Sequence, residues 1–286
     1  MIELSYILTT YNKLEYLKIT LPDLIKNCLS NEEIIVFDGG SIDGTAEYLQ
    51  NLYTSKQIHF FVSEKDKGEA HGYNKAFLQA KGNLIKIITD DDYFDYKVIQ
   101  HCKNYMLVNT EVDVIAYDGF GMSLDNNNGF ESTNFIVDYN NWNQNKKPFL
   151  FCGLCLVIRK SSLPLLGLFN TKMKIVDWEY TLRITSLSIN FKWYNVYGYV
   201  NIANASSNSN KFNLNVVTER DAIERFYLNK NKLLSRTKKH KLINTYSKFK
   251  RLIYKPTQIS KNYLEIYNLC NETISKKNNS INPEFL

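Results

Sequence analysis

The stretch NLIKIITDDDYFD (residues 83–95) places three consecutive aspartates directly after a run of apolar residues. The apolar run, interrupted only by Lys86, has the pattern of a short buried strand. Asp90, Asp91 and Asp92 are therefore predicted to lie where this strand leaves its sheet. Two interpretations are open: an acidic turn that caps the next helix, or a site that faces a cation, because adjacent carboxylates repel one another.

The residues before this stretch alternate between strand and helix patterns. We predict strands at 4–10, 33–38, 58–64 and 84–88, and helices at 14–27, 45–52 and 68–82. Such alternation predicts an α/β fold with a mostly parallel sheet covered by helices on both faces. In sheets of this kind, ligands bind at the carboxyl ends of the strands.

Polar side chains follow all four of these strands. They are residues 9–12 after the first strand, Asp38 after the second, Glu64 and Asp66 after the third, and Asp90 to Asp92 after the fourth. The acids are thus expected at one rim of the sheet.

Glycines at 39, 40 and 44 predict a turn whose backbone approaches a ligand closely. Neither a Walker loop nor a GxGxxG pattern is present. A nucleotide would therefore be held through its base, its ribose and a metal on its diphosphate.

Composition limits the class of protein. At 286 residues, with 44% apolar and 22% charged residues, the chain can bury a large core. No apolar run reaches the roughly 18 residues of a membrane span, and the start has no secretion-signal pattern. The expectation is a cytoplasmic protein.

Cys152 and Cys155 have thioredoxin-like spacing, but the strand-like sequence after them predicts buried packing. The histidines have no zinc-protease spacing.

The positive charge is concentrated at the C-terminus. Residues 230–286 hold 13 Lys/Arg and 3 Asp/Glu, a net of +10, so that residues 1–229 are left with a net of −4. This asymmetry indicates a polyanionic partner. Residues 229–261 are predicted to form a basic amphipathic helix, which either packs on its own domain or contacts an anionic membrane surface. No nucleic-acid partner is expected, since no recognised binding module accompanies the charge.

The middle of the chain has weaker patterns. Residues 117–147 are polar and rich in Asn and aromatic residues, which predicts that this segment includes a flexible loop. Residues 149–163 are strand-like, and another helix is predicted to begin near Asp177.

Several of these pieces match a known family. The chain resembles the family 2 glycosyltransferases with the GT-A fold, especially small bacterial enzymes that build surface polysaccharides. The resemblance lies in ILTTYNK, IIVFDGGSIDGT, SEKDKGEAHGYNKAFLQAKGNLIKIITDDDY and VDWEYTLR, which occur in family order over roughly residues 1–200. It implies an inverting transfer of a sugar from a nucleotide diphosphate, UDP in the first instance, with bound Mn or Mg.

The resemblance also implies roles for individual residues. Thr9 and Asp38 would face the base, Asp90 would lie near the ribose, and Asp91 would bind the metal, with Asp92 as a weaker ligand. The implied donor-binding set further includes Tyr11, Asp66, Asn74 and Lys75. For Asn74 and Lys75, a position on a solvated helix face is the alternative.

Asp177 would be the general base, and Glu179 is its nearest rival because the family usually carries two acids there. The alternative for Asp177 is a helix cap. This chain has His71 where the common pattern has an acid, Ala76 where it has glycine, and Val176 where it often has Glu. The Gln-x-x-Arg-Trp signature of processive synthases is missing, so a single transfer is expected.

Together these features predict a GT-A domain at residues 1–205 and a helical, basic extension at 206–286. The expected activity is transfer to a lipid-linked or oligosaccharide acceptor in surface polysaccharide synthesis. The competing function is a non-catalytic nucleotide-sugar-binding protein of the same fold. A nucleotidyltransferase is disfavoured, because the chain lacks an N-terminal Gly-rich loop that bears Arg.

Overall fold

The computed structural model describes residues 1–124, 129–204, 213–228 and 263–286. Its strands are β1 (Leu4–Thr10), β2 (Glu32–Asp38), β3 (Phe60–Ser63), β4 (Leu84–Ile88), β5 (Tyr93–Phe94), β6 (Val114–Ser123), β7 (Glu131–Ser132), β8 (Val157–Arg159) and β9 (Phe191–Ala203). Its helices are α1 (Leu14–Asn27), α2 (Thr45–Thr54), α3 (Glu69–Gln79), α4 (Tyr96–Val108), α5 (Phe135–Asn145), α6 (Leu163–Leu166), α7 (Val176–Ser186), α8 (Asn213–Leu228) and α9 (Tyr263–Asn278). The described strands form one sheet in the order β3-β2-β1-β4-β8-β6-β9-β5, with β7 paired to β6.

The first half of the sheet is parallel, as predicted. β3, β2, β1 and β4 pair in parallel, with Thr10 opposite Asp38 and Leu8 opposite Ile88. Every residue of β1, β2 and β4 is buried, which is what strands covered on both faces require. The buried Lys86 of β4 is satisfied by the backbone carbonyls of Leu154 and Leu156. The parallel register brings the carboxyl ends of these strands to one rim.

The second half makes the sheet mixed. β8 is antiparallel to both β4 and β6, β6 pairs with β9 in parallel, and β5 is antiparallel to β9. The α/β class is confirmed. The strand predicted over 149–163 is short, because Gly153–Cys155 forms a 3-10 turn before β8. Cys155 is buried, as predicted, whereas Cys152 is only half-buried.

Residues 117–147, which were predicted to include a flexible loop, are mostly strand and helix in the described part. β6, β7 and α5 occupy most of this segment, and only residues 125–128 lie outside the described part. Tyr139 and Trp142, three residues apart on α5, are both buried, and the Trp142 indole donates to the Thr185 carbonyl at 2.7 Å. These two aromatic residues form the buried face of α5.

Residues 263–286 pack against the sheet. The Phe285 ring stacks between Tyr105 and Tyr194, at centroid distances of 3.9 and 4.2 Å, and the Leu286 amide donates to the Trp193 carbonyl at 2.8 Å. The predicted boundary after residue 205 stays a prediction. The basic amphipathic helix predicted at 229–261 lies outside the described residues.

None of the helices in the described ranges combines the length and apolarity that crossing a bilayer requires.

Candidate active site

The carboxyl ends of β1, β2 and β4 meet through direct hydrogen bonds. The Thr10 hydroxyl donates to Asp90 Oδ2 at 2.7 Å, and the Gly39 amide donates to the Thr10 carbonyl at 2.9 Å. The Thr20 hydroxyl of α1 donates to the Asp90 carbonyl at 3.0 Å. The rim inferred from the sequence is therefore a connected structure.

Asp38 shapes the loop that follows β2. It is 1% exposed, and its Oδ2 accepts from the amides of Gly40 and Ser41 at 3.2 and 2.9 Å and from the Ser63 hydroxyl at 2.6 Å. The Ser41 hydroxyl donates to its Oδ1. Gly40 has a φ of +84°, a conformation that favours glycine. These hydrogen bonds show that Asp38 holds this loop. A contact between Asp38 and a base stays a prediction.

A close approach of α3 to β1 forms the wall beside this loop. A Cβ on Gly72 would lie 2.2 Å from the Thr9 hydroxyl and 3.4 Å from the Asp66 carboxylate. A Cβ on Gly39 would lie 3.3 Å from the same carboxylate. Thr9 and Asp66, both predicted to bind the donor, thus both lie beside Gly72, while Tyr11 is 55% exposed.

The two polar residues predicted on α3 are engaged with protein. The Asn74 amide group donates to the Phe169 carbonyl at 2.8 Å and accepts from the Phe169 amide at 2.9 Å. Lys75 Nζ bonds Glu64 Oε1 at 2.8 Å. These contacts favour a structural role for Asn74, because both ends of its amide are used. The donor contacts predicted for Asn74 and Lys75 remain predictions.

Asp90 to Asp92, which follow β4, are called the aspartate loop here, and they have different partners from the acid that caps the next helix. Capping of α4 falls to Asp95, whose side chain accepts from the amides of Lys97 and Val98. Asp92 is 3% exposed and bonds Thr89, Asn201 and the Ile202 amide through its two oxygens. Burial raises the pKa of Asp92 to about 7, and the charge of Asp91 acts in the same direction. Asp92 therefore ties the loop to β9.

The chain itself places a cation, the Lys13 ammonium, against the aspartate loop. Lys13, at the start of α1, donates from its ammonium to Asp91 Oδ2, and the Asn204 amide donates to the same oxygen at 2.7 Å. Burial raises the pKa of Asp90 well above its usual range, the charge of Asp91 adds to this, and Lys13 opposes it. Burial disfavours the Lys13 ammonium, but the charges of Asp90 and Asp91 outweigh this effect and raise its pKa.

The fit of a divalent metal can be judged from this donor set. Across the four described ranges, no group of three or more His, Cys, Asp or Glu side chains could hold a metal by itself. Mg²⁺ is usually held by one or two carboxylates together with substrate phosphates. The Asp91 carboxylate is 13% exposed and faces an ammonium, and it would supply the hard oxygen that such shared coordination needs.

The two acids of α7 have different surroundings. Glu179 is held by Arg183, at 3.0 and 3.1 Å through both oxygens, and by the Tyr227 hydroxyl at 2.8 Å. Asp177 accepts from the Gly153 amide at 2.9 Å through Oδ2. Burial raises the pKa of Asp177, and the backbone hydrogen bonds oppose the effect. Glu179 is thus engaged in a side-chain ion pair, and the general-base role implied for Asp177 stays a prediction.

The 3-10 turn at Gly153–Cys155 connects this carboxylate to the strand that carries the aspartate loop. Lys86 of β4 donates to the Leu154 carbonyl in the turn, and Gly153 in the same turn donates to Asp177. Burial raises the pKa of the Cys152 thiol, and the charges of Asp177 and Asp92 raise it further. The turn therefore links Asp177 to β4.

Replacing Gly153 by Ala is expected to lower kcat by about 10²-fold, the scale of a 1 Å misplacement of a catalytic group. The new Cβ would lie 2.6 Å from the Asp177 Cβ, so the carboxylate must move. Nucleotide affinity should not change, and both quantities are measured on the purified variant. Gly121→Ala is the control, because a Cβ there meets nothing within 4 Å. An unchanged kcat for Gly153→Ala would contradict the proposed placement of Asp177.

A mixed sheet with a parallel half, flanking helices and an aspartate loop at its carboxyl rim defines the GT-A class of fold. The glycosyl transferase family 2 model matches residues 5–164, which is more than half of the chain. The chain belongs to this family of glycosyltransferases.

Two curated relatives give a finer comparison. An uncharacterized glycosyltransferase of Haemophilus influenzae is 25% identical over 213 residues, covering 73% of this chain and 83% of the relative. A putative teichuronic acid biosynthesis glycosyltransferase of Bacillus subtilis is 26% identical over 133 residues, covering 46% of this chain and 51% of the relative. The chain thus spans about half of the second protein.

Solved structures share the fold. Staphylococcus aureus TarS 1-349, in complex with UDP-GlcNAc, superposes with a TM-score of 0.59 at 17% identity, covering 82% of this chain and 74% of that one. The mannosyltransferase PcManGT from Pyrobaculum calidifontis, in complex with GDP-Man and Mn²⁺, superposes with a TM-score of 0.54 at 16% identity, covering 97% and 87%.

Proposed function

We propose that the protein is an inverting, metal-dependent glycosyltransferase that moves one sugar from a nucleotide diphosphate to a lipid-linked or oligosaccharide acceptor in surface polysaccharide synthesis. The observation that carries the proposal is the separation of two carboxylate sites. One is the aspartate loop at the end of β4. The other is Asp177 on α7, which accepts a hydrogen bond from the Gly153 amide. A single displacement at a sugar carbon needs one group for the leaving diphosphate and another for the attacking hydroxyl.

The donor would lie along the rim. Thr9, Asp66 and the loop held by Asp38 form the walls available to a nucleoside, and Asp90 lies next to Thr10 at the strand end. A UDP-sugar is the first donor to test, and the TarS complex with UDP-GlcNAc supports this choice through the shared fold. Asp91 is the residue that would hold Mn or Mg. Asp92 is disfavoured as a ligand, because three protein donors occupy its oxygens.

The reaction follows from this arrangement. Asp177 would take the proton of the acceptor hydroxyl while the hydroxyl oxygen bonds to the anomeric carbon, and the bond from that carbon to the diphosphate oxygen breaks. The proton ends on Asp177, the configuration at the anomeric carbon inverts, and the nucleotide diphosphate leaves. A bound divalent metal supplies neutralisation of the charge that grows on the diphosphate. Glu179 would keep α7 in place through Arg183.

The direct test is release of nucleotide diphosphate from a panel of UDP- and GDP-sugars in the presence of Mn²⁺, with the Asp91→Ala variant in parallel. Metal-dependent release from one donor, lost in the variant, supports a transferase. Binding of a donor without any release, even when membrane extracts supply acceptors, would favour the alternative of a non-catalytic nucleotide-sugar-binding protein. Because the Bacillus subtilis relative is a putative teichuronic acid biosynthesis glycosyltransferase, cell-envelope glycans are the first acceptors to try.

The basic segment, residues 230–286, is expected to bind vesicles of anionic lipid in a salt-dependent manner. Exchanging Lys238, Lys239 and Lys241 for Gln in the full chain should weaken binding at least tenfold, given roughly 1 kcal/mol for each basic residue near the surface. Vesicle sedimentation at low and high salt measures the effect. Deleting the segment is unsuitable, because residues 263–286 pack against the sheet.

The matched control for this experiment exchanges three exposed lysines elsewhere, Lys18, Lys26 and Lys147. If both triple variants sediment like the unaltered protein, the proposed membrane contact is wrong.

A further inference from the structure

The Lys13 side chain contacts the aspartate loop, although Lys13 lies 78 residues before Asp91 in the sequence. It precedes α1, yet its ammonium bonds Asp91 Oδ2 and lies 3.4 Å from Asn204 Oδ1. The Tyr16 ring lies beneath it, 4.8 Å from Nζ to the centroid. The Lys13 side chain is 9% exposed. A buried ammonium in this setting is stable because carboxylates face it.

The contacts around the ion pair form a closed ring. The Tyr16 ring meets the Tyr263 ring edge to face at 4.8 Å, and the Tyr263 hydroxyl donates to the Asp91 carbonyl at 3.0 Å. α9 therefore closes a circuit that runs from Asp91 through Lys13, Tyr16 and Tyr263 back to the main chain of Asp91. This circuit holds the ammonium against the carboxylate.

A divalent metal and this ammonium compete for the same carboxylate. Asp91 Oδ2 already accepts from Lys13 and from Asn204, and both donors carry positive or partial positive charge toward it. A metal ion at that oxygen would meet the repulsion of the lysine at close range, where low solvent exposure leaves charges poorly screened. A metal that binds Asp91 Oδ2 is therefore expected to displace the Lys13 ammonium from that oxygen.

We propose that Lys13 is an internal counter-cation that holds Asp91 until a divalent metal displaces it, so that Lys13 sets the metal affinity of the nucleotide-free protein. This inference rests on the proposed metal dependence of the enzyme. It assigns Lys13 a positioning role toward Asp91, in which the ammonium keeps the aspartate loop folded while the metal is absent.

The test is a calorimetric titration of the nucleotide-free full chain with MnCl₂, comparing the unaltered protein with Lys13→Met. The variant should bind Mn²⁺ at least about tenfold more tightly, equivalent to about 1.4 kcal/mol, because the competing ammonium is gone. Lys18→Met, an exposed lysine on the same helix, should bind Mn²⁺ like the unaltered protein. Lys13→Arg retains a cation and should not show the gain.

A second readout covers the case in which Lys13→Met is poorly folded. Its melting temperature in EDTA should fall below that of the unaltered protein, and MnCl₂ should raise it by more than it raises the unaltered protein, since the metal replaces the lost cation. Equal Mn²⁺ affinity and equal thermal response in the two proteins would overturn the inference.

A third titration separates failure of this inference from failure of the proposed function. If Mn²⁺ binds the unaltered protein together with a nucleotide diphosphate, while Lys13→Met shows no gain without nucleotide, only the role of Lys13 is overturned. If Mn²⁺ binds none of the variants with any nucleotide, metal dependence is wrong and the inference falls with it.

Discussion

Replacing Asp177 by Asn is expected to lower kcat by about 10²–10⁴-fold, the usual contribution of a general base. The amide oxygen of Asn can still accept from the Gly153 amide, as Asp177 does at 2.9 Å, so the turn and α7 should stay in place. Donor affinity should be nearly unchanged, because Asp177 lies on a different element from the strand ends that would hold the nucleotide. Steady-state kinetics with donor binding measured separately would show the split.

The pH dependence gives the same prediction a second readout. Burial raises the pKa of Asp177 above its ordinary value, and below that pKa the protonated carboxyl cannot accept the proton of the acceptor. The fall of kcat at low pH should therefore begin at a higher pH than an exposed aspartate, with a pKa of about 3.9, would give. Asp177→Asn should lose this acid limb.

Glu179→Gln is the matched comparison for both readouts. Glu179 is held by Arg183 and Tyr227, so its replacement should lower the melting temperature and leave the acid limb of kcat in place. If Glu179→Gln instead abolishes turnover in a folded protein, and Asp177→Asn does not, the assignment of the base is reversed.

Replacing Asp91 by Ala is the second change with a large expected effect. We expect turnover to fall by about 10³-fold or more, because metal-ion stabilisation of the leaving group contributes several kcal/mol. The Mn²⁺-dependent part of nucleotide binding should be lost with it. Asp138→Ala, an exposed acid on α5, serves as the control. Turnover that survives in Asp91→Ala would show that the diphosphate is neutralised by other groups.

The parallel half of the sheet could be predicted from the sequence because its signals are local. Buried, mostly apolar strands such as Leu84–Ile88 end at polar residues, and parallel pairing then brings the strand ends together. The position of Asp90 to Asp92 followed from that rule. The antiparallel pairings of β8 with β4 and of β9 with β5 could not be predicted in the same way, since they depend on contacts between residues far apart in sequence.

The finer assignments depended on distant partners. Nothing near Glu179 in the sequence indicates that Tyr227 donates to it, so the sequence left two candidate bases on α7. Lys13 was missed for a similar reason. It stands in the ILTTYNK motif at the end of the first strand, but only the fold turns its ammonium onto Asp91.

Contributions to the site also come from beyond the family match. That match ends at residue 164, yet the Asn204 amide donates to Asp91 Oδ2 at 2.7 Å and the Tyr263 hydroxyl donates to the Asp91 carbonyl at 3.0 Å. The C-terminal residues that follow the shared domain therefore support its aspartate loop. Neither residue lies in a motif that the sequence alone would reveal.

The central claim is a metal-dependent site for a nucleotide diphosphate at the rim of the parallel strands. The most direct test is the melting temperature of the purified protein with UDP, GDP, CDP or dTDP, each with and without Mn²⁺. A ligand at about 100 times its dissociation constant stabilises the folded state by about 2.7 kcal/mol, which shifts the melting temperature of a chain this size by a few degrees. We predict such a shift for one nucleotide, only with Mn²⁺, and its loss in Asp91→Ala. No shift with any of the four nucleotides would contradict the account.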